Sequence, residues 1–249
     1  MRVPLPLALG ALLLPALATA APGALGSIAG RVTFAGPAPP EELLVVTKDV
    51  PVCGARLPAE RLVVGPEGGL ANTVVFLETW PGDPPPAPTV PLTVDNRGCR
   101  FVPRVTAAQV GTTLAVRNSD PLLHNLRAFQ GDHPVLNVVL TVRGQVTERR
   151  LRRSGVQRLR CDVHAHMEGH LLVFDHPGFA VTDASGTFRI PGVPPGRYTV
   201  KAWHEGWRAR RDGPPGGVQE APPPILLAQE VLVPPGGEAT VAFPFGPPP

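Results

Sequence analysis

Short runs of alternating apolar and polar residues, separated by turn-forming residues, dominate the sequence. A period of two is typical of strands with one buried face, and β-branched and aromatic residues favour a pleated backbone. Turn signals such as GPEGG, DNRG and DASG separate the runs, and no amphipathic helical pattern of convincing length is present. We interpret these runs as strands: SIAGRVTF, ANTVVFLE, TTLAVRN, VLNVVLT, HLLVFD, FAVTD, GTFRI, RYTVKAWHE, QEVLVPP and ATVAFPF. Short strands at regular intervals predict an all-β fold of antiparallel β-sandwiches.

The number of strand-like runs predicts two sandwiches. Two proline-rich stretches, residues 81–91 and 212–224, are interpreted as long loops, because strand-like segments resume on both sides of each. A boundary near His176 is favoured, since a new set of strands begins there. We therefore predict one domain over residues 21–175 and a second, smaller one over residues 176–249.

Composition supports the all-β prediction and limits the class of partner. The chain has 34 prolines and 27 glycines, which suit turns better than helix interiors. A formal net charge of +3 is too small to indicate nucleic acid as a partner. The arginines are unevenly placed, however, and a group of them precedes a histidine-rich segment: Arg149, Arg150, Arg152, Arg153, Arg158 and Arg160. They form either a solvated strand face or a docking patch for an acidic partner.

The amino terminus has the pattern of a signal peptide. Arg2 precedes an apolar run that contains prolines and ends in ATA at residues 18–20, an A-x-A-like cleavage site. We expect cleavage after Ala20 and a periplasmic or secreted mature protein. No later segment approaches the roughly 20 apolar residues of a membrane span, so we expect no span in the mature protein. The alternative is an uncleaved signal that acts as an anchor.

Three cysteines in an exported chain suggest one disulfide and one thiol with another role. Cys53 and Cys99 both lie in turn-like settings, DVPVCGAR and DNRGCRFVP, and we predict that they pair. The alternative is two buried free thiols. Cys161 then needs an explanation, because an exposed thiol is reactive in an oxidising compartment unless it is bound.

The segment LRCDVHAHMEGHLLVFD places Cys161, His164 and Met167 at three-residue steps. A thiolate, an imidazole and a thioether suit copper far better than magnesium or calcium, which prefer oxygen. A trigonal copper site with two histidines, one cysteine and a weak axial methionine needs a second imidazole. The candidate is His124, in NSDPLLHN, where a strand-like run gives way to a turn.

Other roles for this cluster remain open. Cys161 could bind zinc with His124, His164 and His166 in a closed tetrahedral site that only stabilises the fold. It could also be a buried cysteine with incidental histidines, and the same copper ligands could serve storage or delivery. His166 and His170 are either exposed loop histidines or have a pH-sensitive or metal-binding role. Two further histidines are interpreted as structural: His176 and His204.

The pair HN at residues 124–125, followed by C-x-x-H-x-x-M at residues 161–167, resembles the cupredoxins, and the spacing is most similar to that of amicyanin. The wider pattern resembles exported methylamine-utilisation or plastocyanin-like proteins over most of residues 26–176. The resemblance implies a Greek-key β-sandwich in which His124, Cys161, His164 and Met167 bind one type I copper ion. It implies that Asn125 ties the two ligand loops together by hydrogen bonds. It also implies an electron carrier rather than an enzyme, with redox proteins as partners.

The carboxyl-terminal segment has a different resemblance. The pattern D-x-x-G-x-F-x-I-x-x-V-P-P-G-x-Y, from Asp183 to Tyr198, is similar to that of carboxypeptidase regulatory-like, transthyretin-related β-sandwich modules. DASG forms the turn of a predicted hairpin. The strand-like runs here are few for an independent sandwich, so the module could pack on the cupredoxin-like part or borrow an amino-terminal run such as SIAGRVTF. The resemblance implies a noncatalytic module that holds the copper domain or binds a partner.

Overall fold

The computed structural model describes residues 23–207 and 223–246. The predicted signal peptide, residues 1–20, lies outside these residues, as does most of the proline-rich stretch 212–224. Within the described residues, no helix has the length and apolar character needed to cross a bilayer.

The chain is almost entirely β, as the alternating pattern predicts. In chain order, the strands up to the ligand motif are β1 (Gly26–Phe34), β2 (Leu43–Val45), β3 (Arg56–Pro58), β4 (Val74–Leu77), β5 (Leu92–Asn96), β6 (Phe101–Val102), β7 (Val105–Gln109), β8 (Thr113–Asn118), β9 (His124–Gln130), β10 (His133–Leu140), β11 (Val146–Arg150) and β12 (Gly155–Arg160). The later strands are β13 (Glu168–Phe174), β14 (Phe179–Val181), β15 (Thr187–Val193), β16 (Gly196–His204), β17 (Ile225–Val233) and β18 (Glu238–Phe245). The helical segments are short: α1 (Val50–Cys53) and a 3₁₀ turn (Pro66–Gly68).

The first sandwich carries the histidine-rich motif. One sheet has the strand order β10-β9-β12-β13-β7, and the facing sheet has the order β11-β8-β5-β6. Alternate residues of both sheets fill the core between them, among them Val94, Leu114, Leu126, Leu159 and Leu171. These residues are excluded from water almost completely, and each contributes on the order of 1.5–3 kcal/mol through its buried side chain.

The second sandwich contains strands from both ends of the chain. Its sheets have the orders β15-β1-β18 and β14-β4-β16-β17. Strands β1 and β4 precede residue 176, yet they pair with strands that follow it, so the second sandwich includes the amino-terminal run SIAGRVTF. As a domain boundary, the division between residues 175 and 176 stays a prediction.

Several strand pairs differ from the predicted antiparallel arrangement. The pairs β13 with β7, β5 with β8 and β1 with β18 are parallel. Parallel neighbours need a crossover rather than a tight turn, so their members are distant in sequence. Alternation reports which face of a strand is buried and carries no information on the direction of its neighbour.

The two sandwiches pack against each other through a small apolar contact and a buried ion pair. Val105 and Leu172 from the first sandwich meet Val74 and Trp203 from the second. Beside them, the guanidinium of Arg104, which precedes β7, donates two hydrogen bonds of 2.6 Å to the carboxylate of Glu205, which follows β16.

The segment between β1 and β4 also reaches the first sandwich. Strands β2 and β3 form a small separate sheet, and α1 lies between them in sequence. Cys53, at the end of α1, forms a disulfide with Cys99, which lies between β5 and β6, so the predicted pairing is confirmed. Cys161 is a free, buried thiol. The disulfide therefore anchors this segment at the end of the sandwich where the ligand motif lies.

Candidate metal centre

His124 is the first residue of β9 and directly follows a turn that is stabilised by the side chain of Asn118. The Asn118 side chain donates a hydrogen bond of 2.7 Å to the carbonyl of Leu122 and accepts one of 3.1 Å from the backbone N–H of Asp120. This local bonding is why NSDPLL forms a tight connection instead of continuing β8. The turn presents the His124 imidazole to the interior at the end of the sheet, where it is fully buried.

The loop that joins β12 to β13 carries the other predicted ligands. Cys161 follows β12, and its backbone N–H donates to the carbonyl of Met167 at 3.3 Å. The N–H of Met167 donates in turn to the carbonyl of His164 at 2.9 Å. These two bonds close the loop, so that Cys161 and His164 lie on its inner side, next to His124.

Three donor atoms converge in this interior space. The Cys161 sulfur Sγ lies 4.0 Å from Nδ1 of His124 and 3.9 Å from Nδ1 of His164. All three residues are buried, and their donor atoms lie within 4.8 Å of one another. Metal–nitrogen and metal–sulfur bonds are about 2.0–2.3 Å long, so an ion can bridge the Cys161 sulfur and either Nδ1 atom at separations of 3.9 and 4.0 Å. The donor set fits a soft or borderline metal ion.

Each imidazole is held from behind by a carboxylate. His124 Nε2 lies 3.1 Å from Oδ2 of Asp120, and His164 Nε2 lies 2.9 Å from Oδ2 of Asp49. An ionised carboxylate can only accept, so both Nε2 atoms carry the proton and both Nδ1 lone pairs face Cys161. Such carboxylate–histidine–metal arrangements orient ligands and raise their basicity. The rings are therefore oriented as metal ligands require.

Sequence reasoning missed both of these carboxylates. Asp120 was detectable in principle, because it lies four residues before His124 in the turn NSDP. Asp49 lies 115 residues from His164 and carries no local signal. Its role depends on the chain path that brings α1 to the ligand loop.

Asn125 connects the two segments that carry the predicted ligands. Its backbone N–H points at the Cys161 sulfur at 3.5 Å, and its side-chain oxygen accepts a hydrogen bond of 2.7 Å from the N–H of Asp162. Its amide nitrogen donates to the Asp162 carboxylate at 2.8 Å and to Asn137 at 3.1 Å. These contacts hold the β9 segment and the ligand loop together without any metal.

Met167 is buried in the same apolar cluster as Cys161. It lines a small cavity together with His166 and Arg100, and the volume of this cavity is about 10 Å³, enough for roughly one water molecule. The His166 ring lies 5.8 Å from that of His164 and is half-buried, so His166 is not the exposed loop histidine considered above. Nε2 of His166 is buried and has no protein hydrogen-bond partner.

Burial favours the neutral form of the His124 and His166 imidazoles. It lowers the pKa of His124; the neighbouring His164 lowers that pKa further, while the Asp120 carboxylate opposes both effects. Burial and His164 also lower the pKa of His166. A neutral imidazole has a free lone pair, so these shifts favour metal binding near neutral pH.

Two other histidines, His170 and His204, lie at or near the junction of the two sandwiches. His170 is on β13, with a side chain that is 12% exposed and a ring 5.2 Å from that of Trp203. The expectation of an exposed loop histidine is therefore wrong for His170. His204, at the end of β16, is fully buried, and its ring lies 5.0 Å from that of Trp207.

The arginines that precede the motif divide into two sets. Arg149, Arg150, Arg152 and Arg153 are exposed at the far end of the sandwich, since Arg150 pairs with Thr113 at the start of β8. The predicted ligand His124 follows the other end of β8, roughly 15–20 Å away. Arg158 and Arg160, by contrast, lie on β12, and Arg160 directly precedes Cys161 and pairs with Arg127 of β9. Arg127 and Arg160 are therefore paired on neighbouring strands at the end of the sheet that carries Cys161.

Comparison with known proteins finds similarity over part of the chain. No protein-family model and no curated protein matches it. The Cu-containing nitrite reductase (NirK) from Thermus scotoductus SA-01 is 26% identical over 34% of this chain and 22% of that chain, with a TM-score of 0.31. A purple cupredoxin from Nitrosopumilus maritimus is 20% identical over 33% of this chain and 98% of that chain, with a TM-score of 0.30. An amicyanin variant in the Cu(I) state is 17% identical over 33% of this chain and 81% of that chain, with a TM-score of 0.31. The match thus spans about a fifth of the nitrite reductase, and these structural neighbours are copper proteins.

Proposed function

We propose that this chain is an exported type I, or blue, copper protein that transfers one electron at a time. In this proposal His124, Cys161, His164 and Met167 bind a single copper ion, and Asn125 supports them. The observation that carries the proposal is the convergence of Nδ1 of His124, Nδ1 of His164 and the free Cys161 sulfur in a buried space. Two imidazoles and one thiolate are the donor set of blue-copper sites.

Bound copper would supply one-electron chemistry by alternating between Cu(II) and Cu(I). The protein side of this chemistry is to keep the ligands in place in both states. The hydrogen bonds of Asn125 and of the ligand loop do so, because they restrain Cys161 and His164 without involving a metal. Electron transfer is fastest when little has to move between the two states, and this arrangement favours it.

The burial of the donor atoms supports an electron carrier rather than a catalyst. His124, Cys161 and His164 are excluded from solvent almost completely. The cavity beside Met167 admits roughly one water molecule and is too small for an organic substrate. An electron, in contrast, can pass through packed protein atoms, so we propose a protein redox partner as donor and another as acceptor.

We propose an acidic redox partner and a location outside the cytoplasm. Arg127 and Arg160 flank the strand end that carries Cys161. Arg127 pairs with Asp162 at 3.6 Å and Arg160 pairs with Glu168 at 3.5 Å, yet both arginine side chains stay 37% exposed. Positive charge at this position would steer an acidic partner towards the site. The periplasmic or secreted location rests on the signal-peptide pattern of residues 1–20.

We propose that the second sandwich, which resembles carboxypeptidase regulatory-like modules, is noncatalytic and holds the copper sandwich. Support comes from the buried pair of Arg104 and Glu205, which joins the two sandwiches. Strands β1 and β4 of the second sandwich also support this role, because the chain forms them before it enters the first sandwich and so connects the two.

The decisive experiment is the visible spectrum of the purified protein after addition of Cu(II), compared with that of a Cys161→Ser variant. We expect an intense thiolate-to-copper band that bleaches on reduction, returns on oxidation, and is missing in the variant. His133→Gln, which alters an exposed histidine outside the cluster, is the control and should keep the band.

Other results would favour other functions. A colourless protein that binds Zn(II) as well as copper would contradict electron transfer and indicate a structural site. A protein that binds Cu(I) tightly but forms no coloured Cu(II) state would indicate storage or delivery. Absence of metal binding would leave a β-sandwich protein whose role lies in binding a partner.

A further inference from the structure

The contact between Asp49 and His164 is formed by a segment outside both strands that flank the ligand loop. The Asp49 carboxylate lies 2.9 Å from Nε2 of His164, and its side chain is 35% exposed, whereas that of His164 is fully buried. Asp49 therefore covers the outer edge of the imidazole, where water would otherwise bond to Nε2. By accepting a hydrogen bond from the Nε2–H group it leaves the Nδ1 lone pair directed at Cys161.

The backbone around Asp49 is built to hold this carboxylate in place. Asp49 adopts a left-handed conformation, with φ of 54° and ψ of 32°, which Asp and Asn tolerate better than other side chains. Its carbonyl accepts hydrogen bonds of 2.9 Å from the N–H groups of Val52 and Cys53, which begin the turn of α1. A helix of this length is not stable by itself, so the Cys53–Cys99 disulfide is its anchor.

The same disulfide also lies next to Asp120, the carboxylate that contacts the His124 imidazole. The backbone N–H groups of Gly98 and Cys99 each donate a hydrogen bond of 2.8 Å to the Asp120 carboxylate. Asp120 then contacts His124 through Oδ2, at 3.1 Å from Nε2. The segment carrying Asp49 and the hairpin holding Asp120 are thus joined covalently.

We propose that Asp49 is a positioning residue for the metal ligand His164, and that the Cys53–Cys99 disulfide holds Asp49 in this position. The inference rests on the function proposed above. Asp49 fixes the tautomer and the ring orientation of His164, and its negative charge favours the more highly charged Cu(II) over Cu(I). The carboxylate therefore lowers the reduction potential of the site and slows the loss of copper.

Two substitutions separate the charge of Asp49 from its hydrogen bond. Asp49→Asn keeps the shape, the left-handed backbone and an oxygen that can accept a hydrogen bond from the Nε2–H group, but it removes the charge. Asp49→Gly removes the whole side chain and also tolerates a positive φ. The control is Asp132→Asn, which removes the same charge from an exposed turn at the opposite end of β9 from His124.

Two measurements are made on each variant of the full chain. The first is the reduction potential of the copper-loaded protein, with ascorbate as the one-electron donor and ferricyanide as the acceptor. We expect the ratio of Cu(II) to Cu(I) affinity to fall about tenfold in Asp49→Asn, which raises the potential by about 59 mV for a one-electron couple. A larger rise is expected in Asp49→Gly and none in Asp132→Asn.

The second measurement uses the metal-free protein. Nitrogen-15 NMR of the His164 ring should show a proton on Nε2 in the wild type and in Asp49→Asn, and a mixture of tautomers in Asp49→Gly. A Cys53→Ser/Cys99→Ser variant that remains folded should show a mixture at His164 as well. This readout is independent of copper.

The outcomes distinguish this inference from the proposed function. If the wild type is blue and cycles, but both Asp49 variants match Asp132→Asn in potential and the His164 tautomer does not change, the positioning role of Asp49 is wrong. If the wild type forms no redox-active copper site, the proposed function fails. The tautomer of His164 then still decides whether Asp49 orients the ring.

Discussion

Arg104 and Glu205 form a bidentate ion pair at the junction of the two sandwiches, with both N···O distances at 2.6 Å. Their side chains are 7% and 2% exposed. Burial alone would lower the pKa of Arg104, but the Glu205 carboxylate raises it above its ordinary value. The guanidinium also donates to the backbone carbonyl of Glu168 at 3.1 Å, so the pair is well satisfied by hydrogen bonds.

Removing one member of this pair should destabilise the protein strongly. Arg104→Met leaves the buried Glu205 carboxylate without its guanidinium partner, with Nδ1 of His170 3.8 Å away, and we expect the free energy of unfolding to fall by about 3–5 kcal/mol. Denaturant unfolding measures this change. The double variant Arg104→Met/Glu205→Leu should lose less than Arg104→Met alone, because no charge is then buried unpaired.

The matched control is the exposed pair of Arg189 and Glu238, with side chains that are 61% and 41% exposed. Arg189→Met should change the free energy of unfolding by no more than about 1 kcal/mol. Equal losses in Arg104→Met and Arg189→Met would contradict a structural role for the junction pair.

The Met167→Leu substitution should raise the reduction potential of the proposed copper site. Leucine fills the buried space but offers no sulfur, and the axial ligand tunes the potential of blue-copper sites. We expect a shift on the order of tenfold in the affinity ratio, or about 59 mV. A redox titration followed by visible absorption measures it. If the potential does not move, Met167 is a core residue and not a ligand.

Loss of the Cys53–Cys99 disulfide should cost stability as well as site geometry. The disulfide spans a sequence separation of 46 residues, and closing such a loop stabilises a fold by about 4 kcal/mol in the chain-entropy model. Cys53→Ala/Cys99→Ala should lower the free energy of unfolding by this amount in denaturant titrations. An unchanged denaturation midpoint would show that neither the loop closure nor the anchoring of α1 contributes to stability.

The protein should become less stable as the pH is lowered into the acidic range, because two histidines that are buried in the folded state resist protonation. Burial lowers the pKa of His170 to about 3 and that of His204 to about 4. Below an unfolded-state pKa of about 6.5, the unfolded chain binds protons that the folded chain does not bind. The free energy of unfolding should therefore decrease as pH falls from about 6.5 towards 4, by up to about 1.4 kcal/mol per pH unit for each histidine.

The His204→Asn substitution tests this pH dependence. The Asn side-chain oxygen can replace Nδ1 of His204, which accepts a hydrogen bond of 3.1 Å from the N–H of Gly206. Chemical denaturation at several pH values gives the slope of the free energy of unfolding against pH. In His204→Asn this slope should correspond to about one proton fewer bound on unfolding than in the wild type. The exposed His133→Asn serves as the control. An identical slope in the wild type and in His204→Asn would show that His204 is protonated in the folded protein.

The sequence predicted the strand content and one covalent link, and it assembled a candidate ligand set. Alternation of apolar and polar residues is a local property, so the ten predicted runs were readable, but β12, which also alternates between buried and more exposed residues, was not among them. The Cys53–Cys99 pair followed from counting, because Cys161 belonged to a different motif. The loop with Cys161 and His164 was recognisable because its spacing is local.

Only the tertiary structure decided which strands are neighbours and which groups support the donors. Strand β1 belongs to the second sandwich, and Asp49 contacts His164, although the partners are far apart in the sequence. No local sequence pattern indicates such long-range contacts. The direction of strand pairing, the burial of His170 and the pairing of Arg104 with Glu205 are equally non-local. Sequence periodicity determined which faces are apolar, whereas packing of those faces determined which polar groups had to find partners in the interior.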